Sequence, residues 1–142
     1  MRYRRYRRSR RSQSFSSAHY ELVSEKLTEA FKILRSQGFI ARKNYLCCQS
    51  CAGYGIANYV SDMPDKKRAK VKGCVFYHAQ DASKFRETGK VYLAFGPLET
   101  TKHGTIGLTD AEVGNAVVDA LTQVGLAYEW DGTGGTRIIA KF

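Results

Sequence analysis

Acidic residues are absent from the first eighteen positions, MRYRRYRRSRRSQSFSSA. Nothing there balances the arginines at 2, 4, 5, 7, 8, 10 and 11. Apolar periodicity is missing too, so this stretch cannot bury enough surface to offset the entropy of ordering its backbone. Disorder in isolation is the expectation for it. No run anywhere is long or apolar enough to cross a bilayer. A secretory signal needs an apolar stretch after its charges, and SQSFSSAHYELVSE is not one. Four cysteines in 142 residues are too few for a disulfide scaffold. Three of them, at 47, 48 and 51, crowd too closely for ordinary paired bridges, which points to an intracellular, reducing compartment. Also lacking are a Gly-x-x-x-x-Gly-Lys phosphate loop, a Gly-x-Ser-x-Gly elbow and a His-Glu-x-x-His pair.

What is present begins with charge. The chain carries a formal +10, with 23 basic and 13 acidic residues. Seven of the basic residues and none of the acidic ones lie in the arm, so the arm holds +7 and the remainder +3. Guanidinium is planar, always charged, and matches phosphate oxygens in a two-pronged geometry. Tyr3 and Tyr6 stand among the arginines and can stack on unpaired bases. Arg2, Tyr3, Arg4, Arg5, Tyr6, Arg7, Arg8, Arg10 and Arg11 are therefore the candidate contacts to RNA or DNA. A solvated tail, a membrane-surface tether and a transit peptide are the blander readings. Such arms resemble the amino-terminal arms of small viral coat proteins. That likeness covers the arm alone and implies a place in a larger nucleoprotein particle or assembly.

The remainder is long enough for one core and not two. The expected organisation is an Arg-rich disordered arm at 1–18 and a compact α+β domain at 19–142. Val23, Leu27, Ala30, Phe31 and Leu34 recur at three- and four-residue steps and predict a helix over Tyr20–Gln37. Ser16 or Ser17 can cap its start, and Gly38 can end it. Phe39–Leu46 reads as a strand. Gln49–Asp62 reads as a helix with Ile56, Tyr59, Val60 and Met63 on its apolar face, although Gly53 and Gly55 weaken it. Gly73–His78 has the continuous β-favouring run of a central strand buried on both faces. A short helix ends at Gly89, and Val91–Phe95 is a further strand. Thr109 and Glu112 have capping-box spacing at the head of the clearest helix. Leu126–Trp130 and Thr136–Lys141 then form a hairpin around DGTGG. The order α-β-α-β-α-β-α-β-β predicts a single mixed five-stranded sheet with helices packed on it.

Three places in the body could carry chemistry. Cys48-x-x-Cys51 sits where a strand gives way to a helix, and helix amides there stabilise thiolate. The turn resembles a thioredoxin-type redox turn. Zinc is the other reading, with Cys47, Cys48 and Cys51 as thiolates and Cys74, His78 or His103 completing the set. In its sparest form the site is Cys48, Cys51 and His78. The bland reading is that the cysteines simply pack as small hydrophobes. Second, His78 and Asp81 at the end of the central strand could act as an oriented general base. Otherwise Asp81 caps the following helix and His78 satisfies a loop carbonyl. Third, Lys66, Lys67 and Arg68 in PDKKRAKVK form a solvated loop or a second phosphate-contacting patch.

LRSQG at a helix end, then LCCQSC, VFYHAQD, VYLAFG and a closing EWDG with Arg-Ile after it together resemble a bacterial domain family of unknown function. The likeness covers Tyr20–Phe142 and leaves the arm outside. It implies one small α+β domain and carries no activity to transfer. A nucleic-acid-associated, non-enzymatic protein is thus the leading expectation, free to form a homo-oligomer. A small metal- or thiol-dependent module of Cys48, Cys51, His78 and Asp81, tethered by its arm, is the alternative.

Overall fold

The computed structural model describes residues 2–98 and 108–142, with side chains described from residue 18 onward within those ranges. The first helix, α1, spans Arg2–Ser36. Its body-packing part is the stretch expected at Tyr20–Gln37, and Val23, Leu27, Ala30, Phe31 and Leu34 are all fully buried. Arginine is a good helix former, and a helix already nucleated on the body extends at low cost. The backbone therefore continues through the arm, and neither Ser16 nor Ser17 is a helix start. The arm's side-chain contacts fall outside the described residues. Gly38, at φ +99°, ends the helix as expected, and a side chain there would run into the Lys70 carbonyl oxygen.

Strand β1 is Phe39–Arg42, shorter than the FIARKNYL stretch suggested. It stops because Asn44 and Leu46 take left-handed backbone, at φ 49° and 60°. Helix α2 spans Gln49–Ser61. A four-residue helix, α3, follows at Asp65–Arg68 inside the lysine-rich stretch expected to be a loop. Arg68 reaches Asp65 at 2.5 Å and the Met63 carbonyl at 3.1 Å, which accounts for this turn. Strand β2 is Gly73–Phe76, every residue buried. Helix α4, Ala79–Thr88, ends at the left-handed Gly89. Strand β3 is Val91–Gly96. Helix α5, Asp110–Gln123, opens with the expected capping box: Thr109 Oγ1 accepts from the Glu112 amide at 3.2 Å, and Glu112 Oε1 accepts from the Thr109 amide at 3.2 Å. Strands β4, Ala127–Glu129, and β5, Ile138–Lys141, form the closing hairpin.

One mixed sheet results, in the order β1-β2-β3-β5-β4. β1 and β2 are parallel, with α2 and α3 in the crossover, and the other pairs are antiparallel. Alternate strand residues serve two cores. Phe39, Ala41, Val75, Leu93 and Ile138 face α1, α4 and α5. Ile40, Cys74, Phe76 and Ala94 face Ala52, Ile56 and Val60 of α2. The architecture is a three-layer α+β sandwich whose second helical layer covers only the β1 side of the sheet. No described helix is long and apolar enough to cross a membrane.

Candidate functional site

The cysteine turn is built from both sides. The Tyr45 amide donates to the Tyr77 carbonyl at 2.8 Å, and the Ala79 amide donates to the Leu46 carbonyl at 2.9 Å. These bonds fasten the turn to the end of β2. Leu46 holds its left-handed backbone at a cost of roughly 1–2 kcal/mol, offset by those bonds. Behind it, Tyr45 and Leu46 lie so close to Gly55 that a β-carbon there would meet the Tyr45 hydroxyl at 2.7 Å. Gly55 thus permits close packing, whereas Gly53 faces open space.

Cys48 is the amino-terminal cap residue of α2, in extended backbone, and Cys51 lies in the first turn. The Sγ atoms of Cys47, Cys48 and Cys51 all lie within 4.8 Å of one another. The Cys47 thiol donates to the Cys48 sulfur across 3.8 Å. The Cys48 thiol is held below its ordinary range, first by the Cys51 amide and then by the Cys51 and Cys47 thiols. Cys51 is pushed up to about 11, chiefly because its thiol hydrogen bonds to Cys47 and Cys48. Packing does not explain the trio, because Cys47 and Cys51 are exposed and Cys48 is half-buried. Cys74 is the cysteine that packs: it is buried under α2, and burial pushes its thiol up to about 11. Cys74 and His78 are both outside the thiol group, and His103 lies outside the described residues.

His78 and Asp81 are in contact, as their spacing suggested. His78 Nε2 lies 3.1 Å from Asp81 Oδ2, and the His78 amide donates to the same oxygen at 3.4 Å, so Asp81 caps α4. Asp81 is also gripped by both terminal nitrogens of Arg137, at 3.0 and 2.5 Å, and Arg137 donates onward to the Tyr92 carbonyl. His78 is only 4% exposed, and its Nδ1 has no hydrogen-bond partner among the described residues. The bland reading for His78, a hydrogen bond to a loop carbonyl, is thereby replaced by the Asp81 contact. Arg137 was missed from sequence because 56 positions separate it from Asp81.

The third place is basic. Arg35, Arg42, Lys67 and Lys70 line a cavity of about 280 Å³ at the β1 edge, together with Tyr59, Met63 and the Gly38–Ala41 backbone stretch. No acidic residue lines it. The Arg42 guanidinium stands 4.9 Å above the Tyr59 ring. Tyr59 is 47% exposed, so it belongs to this surface rather than to the apolar face of α2. Residues 56 and 60 define that face, and residue 59 sits at its margin, where a helical stripe cannot separate buried from exposed. Of the lysine-rich stretch, Lys67 and Lys70 line the cavity, while Lys66 and Arg68 do not. Arg35 is partly committed, donating twice to the Ala41 carbonyl at 3.2 and 2.8 Å.

These features define a small three-layer α+β domain with a thiol trio at the surface, a partly buried His-Asp-Arg cluster and a basic edge cavity. The chain belongs to the family described as Domain of unknown function (DUF6891), which matches residues 6–142. The match therefore takes in much of the arm, beyond the Tyr20 boundary that the resemblance suggested. No curated protein and no solved structure matches the chain.

Proposed function

We propose that this protein associates with nucleic acid without acting on it chemically, binding phosphate through its arginine arm and the basic cavity at the β1 edge. The observation that carries this reading is the cavity itself: four cations and one exposed tyrosine around a single opening, with no carboxylate among its lining residues. Such a set suits phosphate with a base stacked nearby. The arm and the cavity share α1, since Arg2 to Arg11 lie toward its start and Arg35 in its last turn. Both are general readers of charge density, so little sequence preference is expected. The body then serves for packing, partner contact or self-association within a nucleoprotein assembly. Free thiols at the surface, with Cys47 and Cys51 exposed and Cys48 half-buried, suit a reducing, intracellular compartment.

The test is a salt titration of binding to single- and double-stranded RNA and DNA. Full-length protein is set beside two full-length variants. One replaces the seven arm arginines with glutamine; the other is Lys67→Gln/Lys70→Gln. Seven engaged arginines give a log–log salt slope of about −5 on a single strand and about −6 on duplex. The arm variant loses most of that slope, and the lysine variant loses roughly 1.4 on a single strand. Undiminished binding by both variants rejects the proposal.

A further inference from the structure

We propose that Cys47, Cys48 and Cys51 form a three-thiolate site for a thiophilic divalent cation of the zinc type, with the fourth coordination position open to solvent. Zinc–sulfur bonds of about 2.3 Å in tetrahedral arrangement place the sulfurs about 3.8 Å apart. Cys47 and Cys48 already stand at 3.8 Å. All three sulfurs lie within 4.8 Å of one another, so small side-chain rotations complete the set.

Two simpler accounts fit less well. Packing fails because the trio is mostly solvent-exposed. A redox dithiol needs Cys48 and Cys51 alone and gives no reason for Cys47 to converge with them. Conversely, no histidine, aspartate or glutamate joins the group among the described residues. His78, offered from sequence as a ligand, has Nε2 engaged by Asp81. Three protein ligands with one free position are the arrangement of zinc sites that admit water or substrate. Three thiolates on a divalent ion leave one net negative charge, which the amino-terminal end of a 13-residue helix favours. On binding, each S–H bond gives way to a sulfur–metal bond, and its proton passes to solvent. The turn is set in place before any ion arrives, by backbone bonds to Tyr77 and Ala79 and by Tyr45 packed on Gly55.

The experiment uses the full-length protein, reduced and kept anaerobic, with Co²⁺ alone as the first probe and Zn²⁺ as the competitor. The expected result is a thiolate-to-cobalt charge-transfer band that saturates at one equivalent and bleaches when Zn²⁺ is added. Cys47→Ser, Cys48→Ser and Cys51→Ser each weaken binding by more than about tenfold. Cys74→Ser retains the band. Circular dichroism of each variant separates lost ligation from lost fold, since replacing the exposed thiols leaves both cores intact. Absence of the band in the folded wild type overturns the proposal. So does wild-type affinity in Cys47→Ser, or a reduced protein that takes up neither ion yet closes a Cys48–Cys51 disulfide under mild oxidation.

Discussion

Arg137 holds Asp81 with both terminal nitrogens of its guanidinium, tying the start of α4 to the start of β5. The pair is largely shielded, with the Asp81 side chain 13% exposed and that of Arg137 28% exposed. Asp81 has the buried His78 on its other side. Removing the arginine leaves a shielded carboxylate with one partner fewer and frees the Tyr92 carbonyl. Arg137→Met is therefore expected to cost about 2–3 kcal/mol, read from the urea midpoint at unchanged slope.

Gly53 in α2 and Gly114 in α5 should respond to alanine with opposite signs. Gly53→Ala meets nothing within 4 Å and should stabilise α2 by roughly 0.5–1 kcal/mol. Gly114→Ala in α5 would place a β-carbon 2.5 Å from the Trp130 ring and 3.0 Å from Phe95. It should destabilise by about 1–3 kcal/mol despite alanine's higher helix propensity. Trp130 is the only tryptophan, so its fluorescence reports the displacement directly.

Thiol reactivity should divide three to one. Cys47, Cys48 and Cys51 are accessible, whereas Cys74 is buried beneath α2. A disulfide-exchange reagent should consume three thiols in the folded protein, Cys51 after Cys48 because its thiol is held high, and the fourth only as the protein opens. Four fast thiols in the native protein would contradict the burial of Cys74.

Acid should loosen the β4–β5 end first. Asp131 Oδ1 accepts from Thr136 Oγ1 at 2.6 Å and from the Thr133 amide and hydroxyl at 2.9 and 2.8 Å, which hold its carboxyl below the ordinary range. Glu129 is likewise lowered, by its hydrogen bond and charge contact with Lys141. Carboxyls depressed in the folded state contribute stability that is fully present above their unfolded values near 4 and is lost as pH falls through the folded ones. Stability should thus decline below about pH 4, and Asp131→Asn should flatten that decline. Both groups are fully exposed, so the effect is small. Denaturant midpoints from pH 6 to 3 provide the measurement.

Much of this architecture was legible from local patterns. The stripe from Val23 to Leu34, the run Gly73–Phe76 and the Thr109–Glu112 spacing each encode an element within a few turns of chain. Periodicity there is a local consequence of burying one face. Where the reading missed, the cause was contact across distance. The strand after Phe39 ended early because hydrogen bonds to Tyr77 and Ala79 hold Tyr45 and Leu46 in a turn. Tyr59 stands at the margin of the α2 stripe, and only its contact with Arg42, from another element, marks it as part of the cavity surface.

By itself the sequence determined the element order apart from the short α3, the two-sided core of β2 and the concentration of charge in the arm, since each depends on residue type and spacing along the chain. Tertiary structure alone decided that Arg137 closes on the His78–Asp81 pair and that Cys74 and His78 stay outside the group of Cys47, Cys48 and Cys51. It also gathered Arg35, Arg42, Tyr59 and Lys67 around one cavity. Those groupings depend on which surfaces meet when helices and strands pack, and side chains many residues apart become neighbours only then.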